Sequence, residues 1–165
     1  ESEEGKGSTF IFDLPINSWG FSIVDCWLTI VGTSTCRRKS MDAKELKKRT
    51  KEFAHRCVKL SITLHGTDLG THIRKQLIRC ATSVAANYRA TLFAQTKAAF
   101  ISKISIVIEE SDESEFWLGF IIDEKLLQQK RVLPLFNEAH ELTSIFITTR
   151  KTAQKNKSTI NNRKS

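Results

Sequence analysis

The chain has 165 residues, with 26 Lys and Arg against 18 Asp and Glu and a net charge of +8. That length holds one domain with room for a tail, and a composition 40% apolar and 27% charged is that of a globular chain. Both exclude a large multidomain enzyme, a disordered polyelectrolyte and a disulfide-stapled miniprotein.

The charge is uneven. Residues 1–40 carry four basic and five acidic groups, so residues 41–165 carry 22 basic against 13 acidic. A surplus of this size favours polyanions, acidic proteins or anionic surfaces as partners, although a Lys-rich solvated helix face has the same composition. Residues 1–40 mix Gly, Ser, Pro15 and scattered aromatics without helical or alternating period. Their most apolar stretch, Phe21–Gly32, is interrupted by Asp25 and too short to span a bilayer. Its leading end is acidic and its basic run follows it, the reverse of a signal peptide. Met41 is the only methionine, and a helical pattern starts there. Residues 1–40 therefore read as an N-terminal extension outside the fold, with an N-terminal strand or anchor as the alternative. Residues 41–155 read as the bundle domain and residues 156–165 as a basic disordered tail.

Four helices are predicted. The first covers about 42–65, with Leu46, Phe53, Ala54, Cys57, Leu60 and Leu64 on one stripe and Gly66 as its stop. The second covers about 69–91, with Ile73, Leu77, Cys80, Ala81, Val84 and Tyr88 inward. The third covers about 95–124, with Phe100, Ile101, Ile104, Val107, Ile108, Ser111, Leu118 and Ile122 on one broad arc. The fourth covers about 131–154, with Leu135, Phe136, Ala139, Leu142, Thr143 and Phe146 inward and Pro134 in the first turn, where its missing N–H costs little. Short connections between four such helices predict an all-α, up-down-up-down antiparallel four-helix bundle.

The third helix has more apolar surface than one core requires. Opposite its main arc lie Ala99, Ile106, Trp117 and Phe120, flanked by Glu110 and Glu113. This second strip reads as an oligomer interface; the alternative is a helix enclosed within one bundle. The carboxylates Glu109, Glu110, Asp112, Glu113 and Glu115 lack the ExxH partners of a di-metal bundle, so they are expected to pair with Arg74, Arg79 or Arg89. Glu115 falls inside the inward arc and needs a partner there. Cys57 and Cys80 sit at apolar positions and read as buried, reduced thiols of a cytoplasmic protein; Cys26 and Cys36 add no metal-ligand spacing. No nucleophile elbow, phosphate-cradling Gly loop, zinc-protease motif or dinucleotide fingerprint occurs. The expectation is a non-enzymatic protein with no metal, cofactor or small-molecule substrate.

The basic residues are ordered. Lys44, Lys48, Lys51, His55 and Lys59 recur every three or four residues, and Lys47, Arg49 and Arg56 broaden the stripe. Arg74, Lys75 and Arg79 follow on the second helix. A stripe of this kind suits phosphate-backbone contact without base reading. No aromatics interleave with it, so stacking on single-stranded bases is not indicated. The expected nucleic-acid contacts are Lys44, Lys48, Lys51, Lys59, Arg74, Lys75 and Arg79, with RNA or DNA as partner. The alternative is a protein–protein scaffold that docks a partner enzyme.

Four segments occur in order: Glu45–Ala54; Thr82-Ser83-Val84-Ala85-Ala86-Asn87-Tyr88-Arg89-Ala90; Phe100-Ile101-Ser102-Lys103 with Glu109–Glu113 and Phe116-Trp117-Leu118; and Leu135–Leu142 with Ile145-Phe146. Together they resemble the four-helix bundle family named after the 23S rRNA intervening-sequence protein, over Met41 to about Gln154. The resemblance implies a bacterial, cytoplasmic homopentameric ring of bundles. It also implies kinship with the accessory protein of diversity-generating retroelements, which works with a reverse transcriptase and nucleic acid. Thr91-Leu92-Phe93-Ala94-Gln95-Thr96 stands where similar sequences carry an Arg-rich turn, which weakens a nucleic-acid site at that corner.

Overall fold

The computed structural model describes residues 42–155. The N-terminal extension, Met41, Cys26, Cys36 and the tail at 156–165 lie outside the described residues. Four helices run in chain order: α1 (Ala43–Ile62), α2 (Asp68–Thr91), α3 (Lys97–Asp123) and α4 (Gln129–Lys155). No strand occurs among the described residues.

The connections are short and three of the four helix starts are capped. The Asp42 carboxylate accepts from Glu45 N–H at 2.6 Å, and the Thr67 and Thr96 hydroxyls accept from Gly70 and Ala99 N–H at 3.1 Å each. Each helix packs on the next in the chain, and α1 closes the ring more sparingly against α4. The result is an antiparallel four-helix bundle whose loosest seam is α1–α4.

The expected stripes of α1 and α2 are buried at every position, from Leu46 to Leu64 and from Ile73 to Tyr88. Phe53, Ile73, Leu77, Ile104, Leu118, Ile121, Leu142 and Phe146 form the fully buried centre. Tyr88 tilts on Phe146 with ring centroids 5.5 Å apart. Between α3 and α4, the Thr143 hydroxyl donates to Ser111 Oγ at 2.9 Å, so two core hydroxyls satisfy each other. On α3 the burial is narrower than the predicted arc. Phe100, Ile101 and Ile122 are half-buried, and Ser114 and Ile121 take core positions instead.

Three helix ends differ from the sequence expectation, α3 beginning at Lys97 rather than 95 because Thr96 caps it. Helix α1 stops at Ile62, not 65, because Thr63 and Leu64 N–H bond back to Leu60 and Ser61 carbonyls in a tighter turn. Gly66 is not in the left-handed region, so it does not stop the helix. Helix α4 begins two residues early, at Gln129, which places exposed Pro134 inside the helix beyond the first turn.

Gly70 is the glycine the α1–α2 corner requires: a Cβ there would lie 2.3 Å from the His65 carbonyl oxygen. After α3, Lys125 takes φ 52°, and Lys125 and Leu126 N–H bond to the Ile122 and Ile121 carbonyls. This is a Schellman stop built on a lysine, where glycine avoids the Cβ cost. In urea titrations Lys125→Gly is expected to raise stability by about 0.5–1 kcal/mol. Gly70→Ala is expected to lower it by about 1–3 kcal/mol through the clash.

Candidate functional site

The expected basic stripe lies on the solvent side of α1. Lys44, Lys48, Lys51, His55 and Lys59 are all exposed. Among them only Lys48 forms an ion pair within the described residues, to Glu52 at 3.7 Å across one helical turn. Such an exposed pair holds the side chain weakly.

Arg49 belongs to the bundle instead. Its side chain is 18% exposed and reaches Glu138 at 2.7 Å and Glu141 at 2.8 Å, tying α1 to α4 at their sparse seam. Burial alone would lower the guanidinium pKa, but the hydrogen bonds it donates to both carboxylates, with their negative charge, outweigh it and hold the pKa above its ordinary value.

The α2 residues divide. Lys75 is exposed. Arg74 donates to the Leu64 carbonyl oxygen and so closes the end of α1. Arg79 spans to α3, where it pairs with Glu113 and, at 3.3 Å, with Glu110. Of the seven expected nucleic-acid contacts, Arg74 and Arg79 thus spend their hydrogen bonds inside the protomer. Within the acidic cluster Glu110 and Glu113 find Arg79, whereas Glu109 and Asp112 are exposed and form no ion pair with the described residues, and neither Arg74 nor Arg89 pairs with the cluster. Glu115 lies on the α3–α4 seam, half-buried, with His140 Nδ1 at 3.0 Å. Among the described residues no three His, Cys, Asp or Glu side chains gather to hold a metal ion. Cys57 and Cys80 are free and fully buried; burial pushes both thiols up, that of Cys80 to about 11.

The second strip of α3 faces outward over the α2–α3 seam. Ile106 is 40% exposed, while Ala99, Glu110, Glu113, Trp117 and Phe120 are half-buried. Trp117 meets His72 of α2 edge-on at 5.4 Å, and its Nε1–H donates to Glu113 at 3.1 Å. Phe116 completes an aromatic cluster with Trp117 and Phe120, at 5.0 and 6.0 Å, and is 57% exposed. The helical period places Phe116 on the outward face beside this strip, next to Phe120, although it is not among the expected interface residues.

Folding also sorts charge along the bundle axis. The half containing the α2–α3 turn (residues 42–52, 80–110 and 142–155) carries eleven Lys and Arg against five Asp and Glu; the other half carries eight of each. No helix among the described residues is long and apolar enough to cross a membrane.

The two carboxyls that pair with Arg79 shift in opposite directions. The hydrogen bond from Arg79 holds Glu113 below 4.5, whereas burial holds Glu110 above it. A depressed carboxyl stabilises the fold above its unfolded value, and this contribution is lost as pH falls through the folded value. In NMR titrations Glu113 is expected to titrate below Glu110. Arg79→Gln should raise Glu113 and remove its share of the acid loss of stability.

Residues 43–148 match the family described as 23S rRNA-intervening sequence protein. Among solved structures the chain is similar to a protein of unknown function from the S23 ribosomal protein family of Bacteroides thetaiotaomicron VPI-5482. The identity is 30% and the TM-score 0.61, over 66% of this chain and 97% of that one. No curated protein matches the chain. A match that runs from the first turn of α1 to within two turns of the end of α4, over a bundle of the same fold, places this chain in the 23S rRNA-intervening sequence protein family.

Proposed function

We propose that this protein is a non-enzymatic, cytoplasmic accessory factor that binds the phosphate backbone of RNA or DNA through the exposed face of α1. The observation that carries the reading is the run Lys44, Lys48, Lys51 and Lys59, exposed together with one weak ion pair among the described residues. From Lys44 to Lys59 the run extends about 22 Å along the helix, a length over which a duplex presents roughly a dozen phosphates. Lys75 is the remaining cation of the original set; Arg74 and Arg79 act as structural residues in this reading.

Copies associate through the second strip of α3 into a closed ring, a homopentamer on the family resemblance. The exposed Ile106 and Phe116 beside Trp117 and Phe120 support this, since apolar surface of that kind is covered in stable assemblies. A ring repeats the α1 face and multiplies weak phosphate contacts. The same aromatic cluster favours a second reading, in which the strip docks a partner enzyme such as a reverse transcriptase and the protein touches no nucleic acid itself.

Four phosphate contacts per site predict that log K for duplex DNA falls with log salt at a slope of about −3.6 per protomer engaged. A flat slope, or no binding at low salt, removes the nucleic-acid reading in favour of the scaffold. Lys48→Glu with Lys51→Glu is expected to weaken binding by at least about tenfold while leaving the helical content unchanged. Light scattering is expected to report a multiple of the 18.8 kDa protomer, and Trp117→Glu to return it to one.

A further inference from the structure

We infer that the end of the bundle formed by the α2–α3 turn is a binding site for single-stranded nucleic acid, with Phe93 as its base-stacking platform. The inference rests on the nucleic-acid reading above and names the strand it takes.

Phe93 lies in the turn between α2 and α3 and is 60% exposed, the second most exposed of the large apolar side chains among the described residues. Its backbone is held: Phe93 and Ala94 N–H bond to the Ala90 and Thr91 carbonyls. The neighbouring Leu92 packs against the core, so the turn buries one apolar residue and presents the other. Phe93 is not among the side chains packed against the core, so its ring face is free to meet a ligand.

Its surroundings hold more cations than carboxylates, the latter being Asp42 and Glu45 at the start of α1. Arg89 stands in the last turn of α2 and Lys97 in the first turn of α3, and α3 has no acidic residue in its first turn. The antiparallel order brings the start of α1, with exposed Lys44 and Lys47, and the end of α4, with exposed Lys151, to the same end. Arg89, Lys97 and Lys151 form no ion pair with the described residues. Arg150 donates to the Ser105 hydroxyl, not to a carboxylate. An aromatic face amid cations that reach backbone phosphates is the chemistry that holds single strands without reading sequence.

Geometry separates a single strand from a duplex. The α1 stripe runs along the bundle axis, whereas this end lies across it, and the two share Lys44 and Lys47. A strand following both must turn sharply within about 20 Å, the width of two packed helices. Duplex DNA, with a persistence length of about 50 nm, does not make that turn without a large bending cost; a single strand does. The absence of aromatics from the α1 stripe itself still holds. The stacking group comes from the turn, where Phe93 stands in place of positive charge.

The test measures fluorescence anisotropy of labelled oligo(U), oligo(dT) and a DNA duplex of the same length at low salt, with the full chain. Phe93→Ala is expected to weaken both single strands by about tenfold and to leave the duplex unchanged, with Phe93→Trp restoring affinity. Because Phe93 is exposed, circular dichroism is expected to show intact helices in both variants. Lys97→Glu with Lys151→Glu should weaken the single strands further. If Phe93→Ala binds single strands like the parent chain, or loses duplex equally, this inference is overturned while the α1 reading stands. If the parent chain binds none of the three probes, both fall. A loss confined to oligo(U) or to oligo(dT) keeps the inference and shows which of the two strands the site takes.

Discussion

The packing of α3 between α2 and α4 is the contact on which the rest of the bundle depends. Both of its long seams are dense, with Gly119 drawn against the Phe136 ring on one side and Trp117 set edge-on to His72 on the other. Once Ile104, Val107, Ser111, Leu118 and Ile121 are committed inward, the helix has a fixed roll. That roll leaves Ile106 and Phe116 facing water and lays Glu110 and Glu113 where Arg79 can reach both.

The α1–α4 seam works differently. It is sparse in contacts, and its polar element is the partly buried Arg49 bridging Glu138 and Glu141. A half-buried pair of this kind adds register more than stability, because desolvation offsets much of the attraction. It also withdraws one cation from the α1 surface, so the exposed stripe is mostly lysine, with His55 and Arg56 beside it. Lysine is a mobile point charge that suits phosphate contact without geometric demand.

Periodicity made the inward stripes of α1, α2 and α4 legible, since a 3.6-residue repeat of Leu, Ile, Val and Phe has one stable use in a chain with so few helix breakers. Glu115 needing a partner and Arg79 pairing with the acidic cluster were likewise readable from position and charge. The helix ends were not. Gly66 looks like a stop, yet Lys125 is the residue that enters the left-handed region, because the hydrogen bonds closing α3 impose that conformation on whatever side chain is there. Arg49 finding Glu138 and Arg74 closing α1 both depend on how helices distant in sequence lie against one another. No local pattern encodes that.

The division of charge along the axis has a kinetic consequence. With a surplus of six cations in one half and none in the other, the described bundle carries a permanent dipole along its axis. In the field of a polyanion it experiences a torque as well as an attraction, and it rotates to present the α2–α3 turn before contact. Orientation during diffusion raises the share of encounters that are productive, and it fades as the Debye length shrinks below the size of the bundle. Added salt should therefore slow capture more than it speeds release.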